Sequence, residues 1–295
     1  MTIKRVAVTG GNGKIGKHII THLNDHGYHT VNIARGKRRE EESDEYITTD
    51  LLDAGEVYGA FAKSDVDAVI HMGTIPRPDF HAEHRVYESN VMSTMHVLEA
   101  GQSLGLESVC IASSINAMGS EHQERIPDIR YLPVDEAHPC TPDDIYGTAK
   151  HAMEVTADGV GRRPEVDMTI ASLRYPWVTT ESELHEYMID RDRSLEHLGE
   201  VHPATGRDVL FSYLHIDDGA AVARKAIEAE FDGHEVFWTV AADTTAAVPT
   251  DAVVNEFFSP AEVRGEFEGY ETLFDLTKAS KLLDWQPEHS WRRHC

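Results

Sequence analysis

The chain has 295 residues, of which 51 are acidic and 27 are basic, and its formal net charge is −24. Nucleic-acid binding is disfavoured, because phosphate recognition needs a basic face. No apolar run approaches the roughly 20 residues that span a bilayer, so we expect no membrane partner and a cytoplasmic protein. The acidic residues are dispersed along the chain, which is typical of the solvated surface of a halophilic protein.

Short apolar runs alternate with helical patterns through the first half of the sequence. The runs predict strands at Ile3–Thr9, Thr30–Ala34, Tyr46–Thr49, Ala68–His71, Ser108–Ala112 and Val166–Ser172. The segments between them predict helices at Lys14–His26, Val57–Ala62, His84–Ser103 and Asp143–Val160. This alternation predicts an α/β fold with a Rossmann-type, doubly wound parallel sheet.

The alternation weakens after Arg174. Four further elements are predicted, a helix, a strand, a helix and a strand, at Glu181–Leu198, Val209–Leu214, Asp217–Glu230 and Glu235–Val240. We therefore expect a dinucleotide-binding domain over residues 1–174, to which 208–241 returns. Residues 175–295 are expected to supply a small substrate-binding lobe.

A glycine-rich turn lies between the first predicted strand and the first predicted helix. Gly10 permits a sharp turn, Gly13 lets the backbone approach a diphosphate, and Gly16 lets the helix pack close to the strand. The helix start offers free N–H groups and a positive dipole end to phosphates. The turn predicts a dinucleotide site formed by Gly10, Asn12, Gly13, Lys14, Ile15 and Gly16.

The end of the second predicted strand discriminates between dinucleotides. A carboxylate at this position would bind the ribose 2′-hydroxyl of NAD. The chain instead has Ala34-Arg35, followed by further basic residues, and an arginine can pair bidentately with a 2′-phosphate. We therefore predict NADP as the cofactor, with NAD as the alternative.

The glycine turn, the segment Tyr146–Lys150 and the segment Ile111–Ser114 together resemble the extended short-chain dehydrogenase/reductase family. The resemblance covers nearly the whole chain and implies that Tyr146 is the catalytic base. A tyrosine pKa of about 10 is too high for a base at neutral pH. Lys150 lies one helical turn from Tyr146, and its ammonium, with the charge of the nicotinamide, favours the phenolate. Matching the family pattern, Ser114 rather than Ser113 would bind the substrate oxygen.

Further roles are implied by the resemblance alone. Asp50 and Leu51 would contact adenine, and Met72 and Gly73 would lie beside the ribose and diphosphate. Asn90 would support the catalytic lysine, with a merely structural polar residue near a helix start as the alternative. Residues that would touch the substrate are Ile115, Asn116, Tyr175 and Trp177.

The aromatic residues of this set have two open interpretations. Tyr175, Trp177 and the nearby Tyr213 either stack on a sugar ring or belong to the core. An insertion around Glu121–Pro139 could cover the substrate. The family resemblance also implies a homodimer, or a dimer of dimers, formed through the two long helices.

No metal site is predicted. The cysteines, Cys110, Cys140 and Cys295, show neither metal-ligand spacing nor a disulfide framework. His18 and the histidines one and two turns later are interpreted as a solvated helix face, because the neighbouring positions are apolar.

Three functions remain open. The first is a sugar 1-dehydrogenase that oxidises C1 of a free aldose, such as L-arabinose, to a lactone, because the second lobe leaves little room for a nucleotide diphosphate. Its uronate-specific variant is disfavoured by Ile115 directly after the serine. The second is a nucleotide-sugar epimerase or dehydratase with tightly bound NAD, and the third is a non-catalytic NADP sensor. Such sensors usually lose the Tyr–Lys pair, which this chain keeps.

Overall fold

The computed structural model describes residues 3–39, 41–122, 128–198 and 205–294. The strands are β1 Arg5–Thr9, β2 His29–Ala34, β3 Glu45–Thr48, β4 Ala68–His71, β5 Ser108–Ser114, β6 Tyr131–Leu132, β7 Thr169–Tyr175, β8 Val178–Thr179, β9 Leu214–His215, β10 His234–Trp238 and β11 Glu262–Val263. The α-helices are α1 Lys14–Asp25, α2 Ala54–Ser64, α3 Glu83–Leu104, α4 Ile145–Gly161, α5 Glu181–Leu184, α6 Ile216–Glu228, α7 Thr250–Phe257 and α8 Thr277–Leu283.

The main sheet has the strand order β10-β7-β5-β4-β1-β2-β3, and its neighbouring strands pair in parallel. Successive residues of a strand face opposite sides, so Val6 and Val8 pack on one face of the sheet and Ala7 on the other. The first face is covered by α1 and α6, the second by α2, α3 and α4. This arrangement confirms the Rossmann-type fold predicted from the sequence.

Strand β1 marks the point at which the order of the sheet reverses. Its neighbours are β2 on one side and β4 on the other, so the crossovers leave it in opposite directions. In an open α/β sheet, ligands bind in the crevice at the carboxyl ends of the strands at such a point. The residues that follow β1, β4, β5 and β7 therefore meet at one edge.

Strands β5 and β7 extend further than the sequence predicted. Strand β5 continues to Ser114 and β7 to Tyr175, where the sequence predicted ends at Ala112 and Ser172. The two strands pair along their whole length, and Ser114 lies opposite Tyr175. Main-chain pairing thus keeps the backbone extended as far as Ser114 and Tyr175, so these two polar side chains lie at the edge of the crevice.

The helix predicted at Glu181–Leu198 is wrong over most of its length. Helix α5 ends at Leu184, and a single π-helical turn follows at His185–Ile189. Beyond that turn the buried Arg193 donates to the backbone oxygens of Thr245 at 2.8 Å and Thr205 at 2.9 Å. These bonds to distant residues hold the segment in turns, and local pattern could not show them.

The strand predicted at Val209–Leu214 is also wrong over most of its length. A 3₁₀ turn occupies Arg207–Val209, and Leu210 and Phe211 adopt φ of +50° and +52°. Two consecutive residues in the left-handed region cannot continue a strand. Only Leu214 remains in β9, which pairs with β8.

The second half of the chain contributes to both the sheet and a further apolar cluster. Strand β10 joins the main sheet and helix α6 packs on it, whereas Phe211, Phe258 and Leu273 pack with Leu132 of the first half in a separate cluster. The division at residue 174 stays a prediction. Within the described residues, none of the helices combines the length and apolarity needed to cross a membrane.

Candidate active site

The glycine turn has the close contacts that the sequence predicted. Gly10 adopts φ of +68°, and a Cβ on it would lie 2.9 Å from the backbone of Gly73. A Cβ on Gly16 would lie 2.5 Å from the Gly10 carbonyl oxygen. Helix α1 begins at Lys14 with no side-chain cap, so its first N–H groups face the crevice free to meet an anion. The turn therefore fits a diphosphate.

A cavity of about 770 Å³ opens at this edge of the sheet. It brings together nearly all of the site residues predicted from the sequence, namely Gly10, Asn12, Gly13, Lys14, Ile15, Gly16, Arg35, Asp50, Leu51, Met72, Gly73, Ser114, Ile115, Asn116, Tyr146, Lys150, Tyr175 and Trp177. Sequence analysis missed other lining residues, among them Arg39, Thr74, Arg77, Glu121, His122 and Glu183. Except for Glu183 on the short helix α5, they lie outside the helices and strands, where no periodic pattern marks them.

Asn90 is the predicted cofactor residue that does not line the cavity. Its amide oxygen accepts the Ile75 N–H at 2.7 Å, and its amide nitrogen donates to the Ile75 carbonyl at 3.1 Å. The neighbouring Thr74 hydroxyl accepts a hydrogen bond from Lys150 Nζ at 3.1 Å. Asn90 therefore fixes the loop that contacts the lysine instead of reaching the cofactor site itself.

Tyr146 and Lys150 lie on the same face of α4. Asp144 caps this helix by accepting the Gly147 N–H at 2.8 Å. Lys150 Nζ lies 5.6 Å from the centre of the Tyr146 ring and donates to the Ala112 carbonyl oxygen at 2.6 Å. Both side chains are buried, so their charge states depend strongly on what surrounds them.

Burial acts on the two groups in opposite directions. It raises the pKa of the Tyr146 phenol well above its ordinary value of 10, against which a hydrogen bond with Ser114 acts. It lowers the pKa of Lys150 to about 7, and the Glu154 carboxylate opposes this shift. Without a ligand the pair is therefore a neutral phenol beside a marginally charged amine. A further positive charge in the cavity would favour the phenolate.

The two serines at the end of β5 have different partners. Ser114 lies near the Tyr146 phenol and lowers the pKa of that group, and it accepts from the Asn116 amide at 3.1 Å. Ser113 instead donates to Glu154 at 2.6 Å. Ser114 is thus the serine on the side of the phenol, and its role toward the substrate stays a prediction.

A buried ion pair joins α4 to β7, and sequence analysis missed it. Arg174 on β7 donates to both carboxylate oxygens of Glu154, at 2.9 and 2.8 Å. Its guanidinium also lies 4.6 Å from the centre of the Trp238 ring. Glu154 lies one turn beyond Lys150, so the spacing 146, 150, 154 was the signal that could have revealed it.

The structure separates the aromatic candidates for sugar stacking. Tyr213 is buried and donates to Asp243 at 2.6 Å, and Tyr175 is buried and donates to the Gly219 carbonyl at 2.9 Å. Trp177 is half-buried on the cavity wall, in edge contact with Tyr187. Tyr213 therefore belongs to the core, whereas Tyr175 and Trp177 both line the cavity, with the Tyr175 hydroxyl held by the Gly219 carbonyl.

The loop expected to cover the substrate is described in part. Residues 123–127 lie outside the described residues, but Glu121 and His122 line the cavity. The His122 ring meets the Tyr146 ring edge-on, with centroids 5.4 Å apart. The start of this loop therefore contacts the phenol ring itself.

The sequence profile of the NAD dependent epimerase/dehydratase family matches residues 6–238. The chain belongs to this family. A putative UDP-glucose 4-epimerase of Methanocaldococcus jannaschii is 30% identical over 155 residues, which are 50% of this chain and 48% of that protein. The chain thus spans about half the length of this epimerase/dehydratase relative, and of the mammalian UDP-glucose 4-epimerases that it also matches.

Two further proteins to which the chain is similar are named as dehydrogenases. An NAD-dependent glucose-6-phosphate dehydrogenase of Haloferax volcanii is 30% identical over 200 residues, which are 62% of this chain and 71% of that protein. The crystal structure of a glucuronic acid dehydrogenase from Chromohalobacter salexigens aligns with a TM-score of 0.68 at 20% identity, over 99% of this chain and 88% of that one. At 20% identity, the second likeness is one of fold alone.

Proposed function

We propose that this protein oxidises C1 of a free sugar to a lactone, with a nicotinamide dinucleotide as hydride acceptor. The observation that carries the proposal is the Tyr146 phenol, which shares a cavity wall with Ser114, lies one turn from Lys150 and faces a cavity that begins at the glycine turn. The Haloferax and Chromohalobacter proteins, both named for sugars without a nucleotide, support a free-sugar substrate.

The residues present fit the dinucleotide. The close contacts at Gly10 and Gly16 and the uncapped start of α1 would hold its diphosphate, and Asp50 and Leu51 line the cavity where its adenine would lie. When bound, the dinucleotide supplies a hydride acceptor and the positive charge of the oxidised nicotinamide ring. Bound in the cavity that Tyr146 lines, the ring would add a positive charge that favours ionisation of the phenol.

The chain's own residues then handle the proton. Ser114 donates to the substrate oxygen and holds the C1 hydroxyl beside Tyr146. The phenolate accepts the hydroxyl proton as the C1 hydrogen departs as hydride, so the substrate loses two electrons and becomes a lactone. Lys150 stabilises the phenolate before this transfer, and the tyrosine afterwards returns its proton to solvent.

We further propose NADP as the preferred form of the cofactor, with NAD also accepted. Strand β2 ends at Ala34, so no carboxylate meets the 2′ position of the ribose there. Arg35 and Arg39 both line the cavity beyond this strand and are exposed. A guanidinium is matched to a phosphate by its geometry as well as by its charge.

The deciding experiment mixes purified protein with NADP or NAD and a panel of free sugars in high salt and follows absorbance of the reduced cofactor. We expect reduction with L-arabinose or a related aldose, and the Tyr146→Phe variant to lose at least ~100-fold in kcat. The exposed Tyr58→Phe is the matched control. No reduction by free sugars, with turnover of a UDP-sugar, would instead assign the epimerase reaction.

The homodimer implied by the family resemblance stays a proposal. Helices α3 and α4 pack side by side in the described chain and leave Tyr87, Met92 and Val155 exposed by 40%, 41% and 56%. Burial of such side chains between two copies would stabilise a four-helix interface. Light scattering in high salt measures the mass of the assembly, and Val155→Glu is expected to shift a dimer toward monomer.

A further inference from the structure

A cluster of histidine and carboxylate side chains lies outside the cavity, where the start of α6 meets α1 and the chain's tail. Its members are His215, Asp217 and His289, whose potential ligand atoms all lie within 4.8 Å of one another. His215 is the last residue of β9, Asp217 lies in the first turn of α6, and His289 follows α8. The reaction proposed above uses none of them.

The separations within the cluster approach those of a tetrahedral metal site. His215 Nδ1 lies 3.4 Å from Asp217 Oδ2, and His289 Nε2 lies 3.8 Å from the same oxygen. Ligands about 2.0–2.1 Å from a zinc ion at tetrahedral angles lie roughly 3.3–3.4 Å apart. These two separations are therefore within about 0.5 Å of the tetrahedral edge length.

An outer contact orients the His289 imidazole for this role. His289 Nδ1 donates to Asp218 at 2.9 Å, which leaves the lone pair on Nε2, the atom that faces Asp217. Asp218 is buried and also accepts the Glu288 and His289 N–H groups, at 3.1 and 3.0 Å. A carboxylate on the far nitrogen of a histidine is the usual outer shell of a metal ligand.

His215 is the buried member of the cluster. Its side chain is 7% exposed, and its Nε2 has no hydrogen-bond partner among the described residues. That nitrogen faces a Glu181 carboxylate oxygen at 3.8 Å. Its Nδ1 receives only a long hydrogen bond, 3.3 Å, from the Asp217 N–H. One nitrogen from each ring and one Asp217 oxygen thus lie within 4.8 Å of one another, while the two rings stack with an interplanar angle of 22° and must turn for both to ligate one ion.

We propose that His215, Asp217 and His289 bind a divalent transition metal, with zinc as the best match and a fourth position open to water. Two imidazoles and one carboxylate suit zinc and its neighbours, whereas calcium and magnesium prefer sites made of oxygen. The ion ties the tail to the start of α6. The site stands independently of sugar oxidation, because its residues do not line the catalytic cavity.

The test uses the full chain, freed of metal with a chelator and returned to high-salt buffer. Zinc chloride is titrated in by calorimetry, and thermal unfolding is followed with and without one equivalent. We expect one zinc per chain and a higher Tm with zinc. His289→Ala and Asp217→Asn should each weaken binding by at least the roughly tenfold that follows loss of an outer-shell partner.

His84→Ala is the matched control, because His84 is exposed on the first turn of α3 and belongs to no such cluster. It should bind zinc as the unaltered protein does. Circular dichroism without metal shows whether each variant folds. If His289→Ala does not fold, Asp217→Asn alone provides the test of zinc binding. A titration without saturable heat, or equal affinity in both ligand variants and the control, overturns the proposal.

Discussion

Arg174 donates hydrogen bonds to both carboxylate oxygens of Glu154, which lies one turn after Lys150 on α4. The side chains of this pair are 4% and 5% exposed, so neither charge has water to replace its partner. The same carboxylate accepts from Ser113 and raises the pKa of Lys150 against the effect of burial. One buried ion pair thus connects β5, β7 and α4 beneath the active site.

Replacing Glu154 should destabilise the fold. In Glu154→Gln the Arg174 charge stays buried without its partner, which typically costs about 3–5 kcal/mol. Urea unfolding in high salt measures the change in the free energy of unfolding. Glu88→Gln breaks an exposed pair with Arg85 and should cost no more than about 1 kcal/mol. Equal losses in the two variants would contradict the structural role given to the buried pair.

The buried lysine should make stability depend on pH. Its folded pKa is about 7 and its unfolded value 10.5, so above pH 7 the unfolded chain holds one proton more and the free energy of unfolding rises with pH. Between pH 7 and 8.5 the contribution is about 2 kcal/mol at 1.36 kcal/mol per unit. Lys150→Met should remove this rise, which parallel urea titrations at both pH values detect. The same slope in both proteins would assign it to other groups.

Arg35 should decide the preference for NADP. Loss of a charge-assisted hydrogen bond of about 1.5–3 kcal/mol raises KM roughly 10- to 100-fold. Arg35→Ala is therefore expected to raise the KM for NADP while leaving that for NAD nearly unchanged. Lys37→Ala is the control, because it removes one positive charge only two residues from Arg35. The Lys37 side chain is exposed and does not line the cavity. If both variants raise the KM for NADP equally, the affinity depends on the total positive charge of the loop and not on a specific bond from Arg35.

Gly16 should tolerate no side chain. An added Cβ would meet the Gly10 carbonyl oxygen at 2.5 Å and push apart the turn and α1. We expect Gly16→Ala to abolish detectable cofactor binding, measured by calorimetry, and to lower Tm. Gly59→Ala lies in α2 with open space around the new methyl group and should be neutral or slightly stabilising. Unchanged cofactor affinity in Gly16→Ala would remove the phosphate role of the turn.

Local pattern was sufficient for the features that depend on short stretches of chain. The alternation of apolar runs and helical periods determined the doubly wound sheet, because each element shows its own period in sequence. The glycine turn and the spacing of Tyr146 and Lys150 are likewise local, since a turn and one helical repeat fix them. Family resemblance then selected Ser114.

Tertiary structure decided whatever joins distant parts of the chain. Packing and hydrogen bonds remote in sequence, such as those of Arg193 with Thr245, replaced a predicted helix with turns. His215 and His289 are 74 positions apart, and only the docking of the tail on α6 brings their rings to a centroid distance of 4.4 Å. The physical reason is that sequence records the period of a side-chain pattern, whereas a contact between remote residues exists only after the core has formed.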